Sequence, residues 1–530
     1  MASNLTSGTV EIGQAEIIAF LCRPETHGGH DAVQRMDTHI STIILVGARA
    51  YKLKRAVRFD YLDYSTLELR HRYCDAEVAI NRRTAPGIYD GVVAVTREAD
   101  GSLALGGKGR PVEYLVAMKR FDQEDVLDRV VARGALDDKL SRRLADRIAA
   151  FHDKAETGTA TDGAASFARM VAENTNQVML RSEDVFASGD AQRFSELLSA
   201  RAGRAGPLLD ARARAGRVRR CHGDLHLRNI CLFEGEPTLF DAIDFDDRLN
   251  MIDVFYDLAF LLMDLEFRSR RDLANSLLNR YLDRSGDYGG LGVLQLFMAC
   301  RAGIRAHISA SAADANLPAS ADTAAGLYDD SRNYLKLGLE FLRPVPARLV
   351  AVGGLSGVGK SVLAHGLSPK IGAAPGAVHL RSDVLRKRLH DQAPETPLTP
   401  EAFPNAYGED ISQMVHDEMR RHAAAALDAG YSVICDATYM TGEQRRGMEQ
   451  VGEAAGVPFT GLWLDAAEDK MTARIRGRRN DASDADETVL RSQLEADLGR
   501  IDWHIIPAGG NAIETLRAAQ RALDYSDAHC

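Results

Sequence analysis

The sequence predicts two domains, one of α+β and one of α/β architecture. Its 530 residues exceed what one hydrophobic core usually serves. Strand-like segments and turns dominate the N-terminal region, and helix-forming residues dominate the region that follows. After residue 348, strand-like and helix-like segments alternate along the chain. These observations predict a small β-rich lobe joined to a larger helical lobe, followed by a doubly wound parallel sheet.

The first elements are a hairpin and a helix. Residues 41–47 are rich in β-branched side chains, and after a short turn residues 50–54 alternate with period two. This pattern is typical of a β-hairpin. Residues 65–83 contain helix formers and are followed by Pro86, which predicts a helix that ends there.

The helical lobe follows two further strands. These strands are predicted at residues 92–95 and 113–119, and helical spacing begins near Leu136. A strand is also expected from Thr238 to Ile243. The stretch 309–325 is rich in Ala, Ser and Asp, which predicts a surface loop.

The second domain begins after the segment Arg-Pro-Val-Pro at residues 343–346, which indicates a linker. The predicted division is therefore a first domain at 1–342, a linker at 343–348 and a second domain at 349–530. Strands of the second domain are predicted at residues 349–352, 378–380, 432–435, 459–464 and 503–506.

Composition narrows the class of protein. The formal net charge of −10 does not favour nucleic acid as a partner. The seven cysteines are scattered without metal-ligand spacing, so reduced thiols and no structural zinc are expected. The sequence shows no leader of basic and then apolar residues and no apolar run of transmembrane length. We therefore expect a cytoplasmic protein without a membrane partner; the composition leaves the oligomeric state open.

The strongest motif is the Gly-x4-Gly-Lys-Ser pattern of residues 354–361. Its backbone N–H groups are expected to surround the phosphates of ATP or GTP at the N-terminus of a helix. Lys360 would reach the β- and γ-phosphates, and the Ser361 hydroxyl would bind Mg²⁺. The predicted nucleotide-binding residues of this loop are Gly354, Ser356, Gly357, Val358, Gly359, Lys360 and Ser361.

Four further residues complete this downstream site. Asp383 follows a predicted strand and is a candidate general base for a hydroxyl acceptor, with helix capping by Ser382 or Asp383 as the alternative. Asp436 ends the next strand and suits an outer position at Mg²⁺ or binding of the acceptor, again with capping as the alternative. Arg474 and Arg478 lie where a closing lid would need positive charge, although such charge runs are usually solvated.

Residues 349–530 resemble small P-loop kinases of the gluconate kinase, chloramphenicol phosphotransferase and zeta-toxin type. The resemblance rests on the phosphate loop, Arg381-Ser382-Asp383, Asp436-Ala437-Thr438 and the arginine-rich lid. It implies an ATP-dependent kinase and does not name the acceptor.

A second site is indicated by His-Gly-Asp-Leu-His-Leu-Arg-Asn at residues 222–229. Asp224 and Asn229 have the spacing of the protein-kinase catalytic loop, which needs a base and a metal-holding amide. Asp244 follows an apolar segment and takes the position of the metal-binding aspartate of the kinase metal loop.

This string resembles the aminoglycoside and choline kinase-like phosphotransferase family, over about residues 35–310. The resemblance implies a bilobal protein-kinase-like fold, with Asp224 as catalytic base and Asn229 and Asp244 as Mg²⁺ ligands. It also implies a phosphate-holding lysine, either Lys52 or Lys54, paired with Glu77. The two lysines share a strand face, so the sequence does not choose between them.

Together the motifs predict a bifunctional kinase that phosphorylates small-molecule hydroxyl groups with ATP or GTP and Mg²⁺. One alternative makes one domain catalytic and the other a regulatory nucleotide-binding module, and the upstream domain is the candidate for that role. Another gives the P-loop domain a polynucleotide or nucleotide-sugar acceptor.

Overall fold

The computed structural model describes residues 13–29, 31–38, 40–59, 62–159, 161–182, 184–316, 320–399, 401–477 and 482–527. Up to residue 342 the elements are α1 (Gln14–Leu21), β1 (Val33–Asp37), β2 (Ser41–Val46), β3 (Arg49–Lys54), β4 (Arg58–Phe59), β5 (Leu62–Asp63), α2 (Leu67–Asn81), β6 (Tyr89–Arg97), β7 (Leu103–Leu105), β8 (Arg110–Lys119), α3 (Leu127–Ala132), α4 (Asp138–Lys154), α5 (Gly163–Leu180), α6 (Ser188–Arg214), β9 (Val218–Arg220), β10 (Ile230–Phe233), β11 (Glu236–Leu239), α7 (Asp247–Asn250), β12 (Met251–Asp253), α8 (Val254–Phe267), α9 (Arg271–Ser285), α10 (Leu291–Asn316) and α11 (Ala321–Phe341). They are followed by β13 (Leu349–Gly353), α12 (Lys360–Leu367), β14 (Val378–Arg381), α13 (Ser382–Leu389), α14 (Glu409–Asp428), β15 (Val433–Asp436), α15 (Gly442–Ala455), β16 (Phe459–Asp465), α16 (Glu468–Gly477), α17 (Glu487–Glu495), β17 (His504–Pro507) and α18 (Ala512–Asp527).

The chain divides into two compact units. The first consists of Met1–Leu136, Lys154–Glu156 and Arg219–Ile252. The second consists of Asp137–Asp153, Thr157–Val218 and Asp253–Cys530. The helical lobe therefore groups with the C-terminal sheet. The domain boundary at residues 343–348 follows from composition and stays a prediction.

The first unit contains an antiparallel six-stranded sheet of order β1-β2-β3-β8-β6-β7. The predicted hairpin is confirmed, because β2 and β3 pair in register from Ser41–Lys54 to Val46–Arg49. Apolar residues of α1 pack with Leu53 on one sheet face, and residues of α2 pack with Val116 on the other. Since side chains alternate along a strand, Lys52 and Lys54 of β3 point toward α2.

Two predicted elements are wrong. The strand expected from Thr238 to Ile243 ends at Leu239, because Asp241 adopts a left-handed conformation with φ +60°. The expected loop at 309–325 is largely helical, since α10 continues to Asn316 and α11 begins at Ala321. Alanines at helical spacing in α10 are buried there, so their packing outweighs the loop-like composition.

The helical lobe of the second unit is held by buried ion pairs. Asp253 accepts a hydrogen bond from the Phe255 amide at 2.8 Å and so caps α8. Arg212 donates to Asp253 at 2.7 and 2.8 Å and to Asp287 at 2.9 and 3.0 Å.

Among the described helices, none combines the length and apolar composition needed to cross a bilayer.

The C-terminal part of the second unit is a parallel five-stranded sheet of order β14-β15-β13-β16-β17. Its core includes Val350, Ile434 and Leu462 from the three inner strands. All carboxyl ends of the strands therefore lie at one edge, which is where ligands bind in open α/β sheets. The predicted architecture of the chain is confirmed.

Candidate active sites

Two lysines of β3 share one carboxylate on α2. Lys52 Nζ lies 2.9 Å from Glu77 Oε1, and Lys54 Nζ lies 2.7 Å from Glu77 Oε2. Each lysine has a second acidic partner: Lys52 is 2.7 Å from Asp241 Oδ1, and Lys54 is 2.8 Å from Asp244 Oδ2. The structure thus brings the four predicted residues together, with Asp241 as an addition that sequence reasoning missed.

The two lysines differ in their access to solvent. The Lys54 side chain is 2% exposed and also donates to the Tyr64 hydroxyl at 3.2 Å. The Lys52 side chain is 14% exposed, and its partner Asp241 is 45% exposed. Asp241 can therefore give way to an incoming ligand with little rearrangement, whereas the Lys54 side chain itself is enclosed by protein.

Charge governs the protonation of this cluster. Burial opposes the charge of both lysines, but the neighbouring carboxylates outweigh it and raise the pKa of Lys52 and Lys54 well above its ordinary value. Burial also opposes ionisation of Glu77, yet the two lysines lower its pKa to about 2. Burial raises the pKa of Asp244 against the charge of Lys54. Both lysines are therefore cationic at neutral pH and suited to hold phosphate.

The predicted catalytic loop holds its aspartate from two sides. Asn229 Nδ2 donates to Asp224 Oδ2 at 2.8 Å and to the Asp224 carbonyl at 3.0 Å, which leaves the amide oxygen of Asn229 to serve as a hard ligand. His226 Nδ1 accepts from the Arg228 amide at 3.2 Å, and Nε2 lies 3.3 Å from Asp224 Oδ2. This arrangement suits the neutral tautomer of His226 that donates to Asp224.

Hydrogen bonds hold the segment that carries Asp241 and Asp244. His222 Nε2 lies 2.9 Å from the Phe240 carbonyl, and the Ile243 amide donates to the His222 carbonyl at 3.0 Å. The Ala242 amide donates to Asn81 Oδ1 at 2.8 Å. The catalytic loop and α2 therefore fix this segment together.

The phosphate loop of the second unit lies between β13 and α12, as predicted. Residues 356–361 line a cavity of about 620 Å³, and Gly354 begins the loop. Gly357 has φ +82°, and a Cβ there would come within 2.6 Å of the Met471 carbonyl oxygen. Lys360 Nζ donates to the Leu355 carbonyl at 3.0 Å, a bond that holds the ammonium group across the loop.

Asp383 and Asp436 line the same cavity. Helix α13 begins at Ser382 without a side-chain cap, and α15 is capped by Thr441. Capping, the alternative role considered for these aspartates, is therefore not what they do. Asp436 Oδ2 lies 3.4 Å from His379 Nε2, which sequence reasoning did not single out.

The environments of these two carboxyl groups push their pKa values apart. Burial raises the pKa of Asp383 although it is only half-buried, and the charge of Asp436 adds to this effect. Burial also opposes ionisation of Asp436, but the hydrogen bond and charge of His379, with Lys360, lower its pKa. Two such carboxyl groups suit separate roles, one as a proton acceptor and one as a constant negative charge.

Arg474 is held by backbone carbonyls at the border of the cavity. Its guanidinium donates to the Val358 carbonyl at 2.8 Å, to Ala508 at 2.7 Å and to Gly510 at 3.2 Å. It therefore links the phosphate loop to the segment after β17, and its lid role stays a prediction. Arg478 lies outside the described residues.

Arg386 is a cavity residue that sequence reasoning missed. It is 8% exposed, donates to the Ala406 carbonyl at 2.6 Å and lies over the Tyr407 ring at 4.8 Å from the centroid. Its Nη1 and Nη2 also donate to the Ser412 hydroxyl at 3.3 Å. Its Nε is buried without a hydrogen-bond partner, and no carboxylate of the described residues forms an ion pair with the guanidinium. Burial lowers its pKa against the charge of Asp383. Its position three residues after Asp383, on one helix face, was the available signal.

Two more side chains link the lid region to this cavity, and neither belongs to a recognisable sequence motif. Asp484, after the undescribed residues 478–481, accepts from Lys387 Nζ at 3.0 Å and from the Tyr407 hydroxyl at 2.8 Å. Gln493 Oε1 accepts from the Ser356 amide at 2.8 Å. The region after the lid therefore contacts both the phosphate loop and the opposite wall.

Comparison with known families agrees with the two sites. Residues 71–294 match the model of a phosphotransferase enzyme family, and residues 349–496 match the model of an AAA domain. The recognition of two kinase-type domains in one chain, and with it the assignment as an enzyme of the kinase class, is confirmed.

Related proteins cover nearly the whole chain. Uncharacterized proteins of Mycobacterium bovis and Mycobacterium tuberculosis are 29% identical over 490 residues, which is 92% of this chain and 93% of theirs. Two solved structures resemble parts of it. A gluconokinase from Sinorhizobium meliloti covers 34% of this chain and 94% of its own at 19% identity and a TM-score of 0.25. A choline/ethanolamine kinase family protein from Mesorhizobium loti covers 62% and 99% at 13% identity and a TM-score of 0.38.

Proposed function

We propose that this chain, which joins a phosphotransferase-family domain to a P-loop domain of kinase type, is a bifunctional kinase with one active site in each. Each site would transfer the γ-phosphate of ATP or GTP to a hydroxyl group of a small molecule. The observation that supports this most is that each site assembles a cation for phosphate, oxygen ligands for a metal and a candidate base. Mg²⁺ fits both sets, because every ligand is an amide, hydroxyl or carboxylate oxygen.

In the upstream site, Lys52 would hold the nucleotide phosphates while Glu77 orients its ammonium group. Asn229 and Asp244 would hold Mg²⁺, which supplies charge neutralisation at the phosphates when bound. Asp224, positioned by Asn229, would accept the proton of the acceptor hydroxyl.

In the downstream site, the amides of the phosphate loop and Lys360 would surround the β- and γ-phosphates. Ser361 would ligate Mg²⁺ directly, and Asp436 would act at the metal from an outer position, since its pKa is lowered and its charge persists. Asp383 would accept the acceptor proton, because a raised pKa brings a carboxylate closer to the basicity that this step needs.

The acceptor of the downstream site is proposed to carry an anionic group, as a carboxylate, phosphate or sulfate. Arg386 lines the cavity, and no carboxylate of the described residues pairs with its guanidinium, so an anionic ligand would compensate its charge. Arg386 is on the same helix face as Asp383, so an acceptor whose hydroxyl reaches Asp383 can reach Arg386 with a second group. We therefore propose anionic rather than neutral acceptors as the preferred class.

The two-site proposal is tested by Asp224→Asn and Lys360→Ala, with the exposed Asp247→Asn and Lys370→Ala as matched controls. ATP-dependent transfer of one phosphate to the metabolites of a cell extract is followed by mass spectrometry. Each test substitution should abolish one set of products and spare the other. Loss of all products from a single substitution would argue against two independent sites.

The acceptor proposal is tested in the Asp224→Asn background, where products come from the downstream site. Arg386→Gln should raise the KM for the acceptor found in the screen at least tenfold while MgATP binding is unchanged, because a charge-assisted bond is lost. A neutral acceptor, or an acceptor KM that Arg386→Gln leaves unchanged, contradicts this proposal.

A further inference from the structure

Helix α9 pairs with the free edge of the C-terminal sheet. β14 is an edge strand, so its outer backbone groups have no neighbouring strand. Asn279 Oδ1 accepts from the His379 amide at 2.7 Å, and its Nδ2 donates to the Ala377 carbonyl at 3.2 Å. Asn275 donates to the same carbonyl at 3.0 Å and is 1% exposed. Two side-chain amides of α9 thus replace the missing strand.

The C-terminus of α9 also holds α13, the helix that carries Asp383 and Arg386. Arg388 of α13 donates to the Leu282 carbonyl at 3.4 Å, one of the last carbonyls of α9. Gly286, which ends α9 with φ +64°, lies so close to the Arg388 guanidinium that a Cβ would collide with it. The positive φ favours glycine at this position, and a larger side chain would have to displace the Arg388 guanidinium.

A third attachment joins α9 to the segment after α13. Arg280 is 6% exposed and forms ion pairs with two carboxylates. It donates to Asp146 of α4 at 2.7 and 2.8 Å and to Glu395 at 2.6 and 3.2 Å. Residues 390–399 and 401–408 contribute Tyr407 to one wall of the cavity, and the Ala406 carbonyl of this segment accepts from Arg386. Arg280 thus fixes this wall to the helical lobe.

From these three attachments we propose that α9 braces the downstream acceptor site from outside the cavity and that Arg280 is a positioning residue for it. The inference rests on the proposed function of the downstream site. Because α9 lies within the part that matches the phosphotransferase family, that part of the chain would support the downstream site. The C-terminal kinase site therefore reaches full activity only within the whole chain.

The first test measures hydrogen exchange in the full chain by mass spectrometry. Arg280→Ala should speed exchange of the hydrogen-bonded amides in residues 390–399 and 401–408 about tenfold, because the segment opens more often. Arg284→Ala is the matched control, since Arg284 lies one turn on and pairs with the same Asp146 at 3.1 Å. Glu395→Gln, which removes only the outer partner, should have the effect of Arg280→Ala. Unchanged exchange, or an equal effect of Arg284→Ala, overturns the proposal.

The second test separates positioning from stability. Slow MgATP hydrolysis, with water as the acceptor, is measured in the Asp224→Asn background. Arg280→Ala should lower kcat about tenfold and leave the KM for MgATP within twofold, because the phosphate loop is untouched. Combined with Asp383→Asn it should lower kcat no further, since α9 and the segment after α13 together hold α13, the helix that carries Asp383.

Additive losses from Arg280→Ala and Asp383→Asn, or a changed KM for MgATP, would show that Arg280 does not position this wall. Absence of phosphorylated products from the acceptor screen in the Asp224→Asn background contradicts the proposed downstream function instead. Hydrogen exchange then still decides whether α9 fixes the wall, because that measurement needs no turnover.

Discussion

Lys54 Nζ lies 2.8 Å from Asp244 Oδ2, although 190 residues separate them in sequence. Their side chains are 2% and 9% exposed, so this pair is shielded from water. Lys52, two residues earlier, pairs instead with the half-exposed Asp241. We therefore expect different tasks for the two lysines: Lys54 would stabilise the fold, and Lys52 would contact the nucleotide phosphates.

The two lysines should respond differently to replacement by methionine. Lys52→Met should lower upstream phosphoryl transfer at least a hundredfold with a small change in Tm, because a phosphate contact is lost. Lys54→Met should cost about 3 kcal/mol of unfolding free energy, because two buried carboxylates lose a partner. Turnover and thermal unfolding measure both effects. The assignment fails if Lys52→Met keeps full activity while Lys54→Met keeps full stability.

Asp244→Asn should lower upstream turnover by orders of magnitude and preserve the fold. The substitution removes a charge aimed at the metal and changes almost no volume. Circular dichroism and activity at saturating Mg²⁺ check both parts, with Asp247→Asn as the exposed control. Elemental analysis of the dialysed protein should find no tightly held zinc, since hard oxygen ligands favour Mg²⁺. Undiminished upstream activity in Asp244→Asn would remove Asp244 from the site.

Downstream turnover should fall on the acid side as Asp383 becomes protonated. A general base works only when deprotonated, and burial raises the pKa of this carboxyl. Activity is therefore present above the pKa of Asp383 and lost as pH falls through it, at a pH above the ordinary aspartate value of about 3.9. The pH profile of kcat in the Asp224→Asn background measures this limb. Asp383→Asn should leave a low, pH-independent rate, and an unchanged acid limb in that variant would assign it to another group.

Ionisation of the buried Glu266 should lower the free energy of unfolding as pH rises. Burial raises its pKa from 4.5 to about 7, and its side chain is 10% exposed. The folded state therefore holds a proton that the unfolded state releases between these values, so stability is lost as pH rises from about 4.5 to 7.

Glu266→Gln should remove this loss, which amounts to roughly 3 kcal/mol at about 1.4 kcal/mol per pKa unit. Urea unfolding at pH 5 and pH 8 measures the effect, with the exposed Glu173→Gln as control. Equal gains at both pH values would show that ionisation of Glu266 is not the cause.

Much of the fold followed from local patterns. The hairpin of β2 and β3, the parallel strands and the start of α12 at Lys360 all lie where the sequence predicts them. The loop expected at 309–325 failed because alanine packing in a helix depends on a distant partner surface. The strand expected to reach Ile243 failed because Asp241 takes a left-handed conformation that its residue type only permits.

The two candidate sites divide in the same way. Asp224 and Asn229, or the phosphate loop with Lys360, lie within a few residues of each other, so covalent geometry brings them together and a short motif reveals them. Other features involve groups far apart in sequence. Lys52 pairs with Asp241, Arg280 pairs with Glu395, and the Arg386 Nε is buried without a partner. Such contacts form only when whole helices and sheets pack against each other, because burial of a polar group is favourable only where the packed surfaces supply its partner.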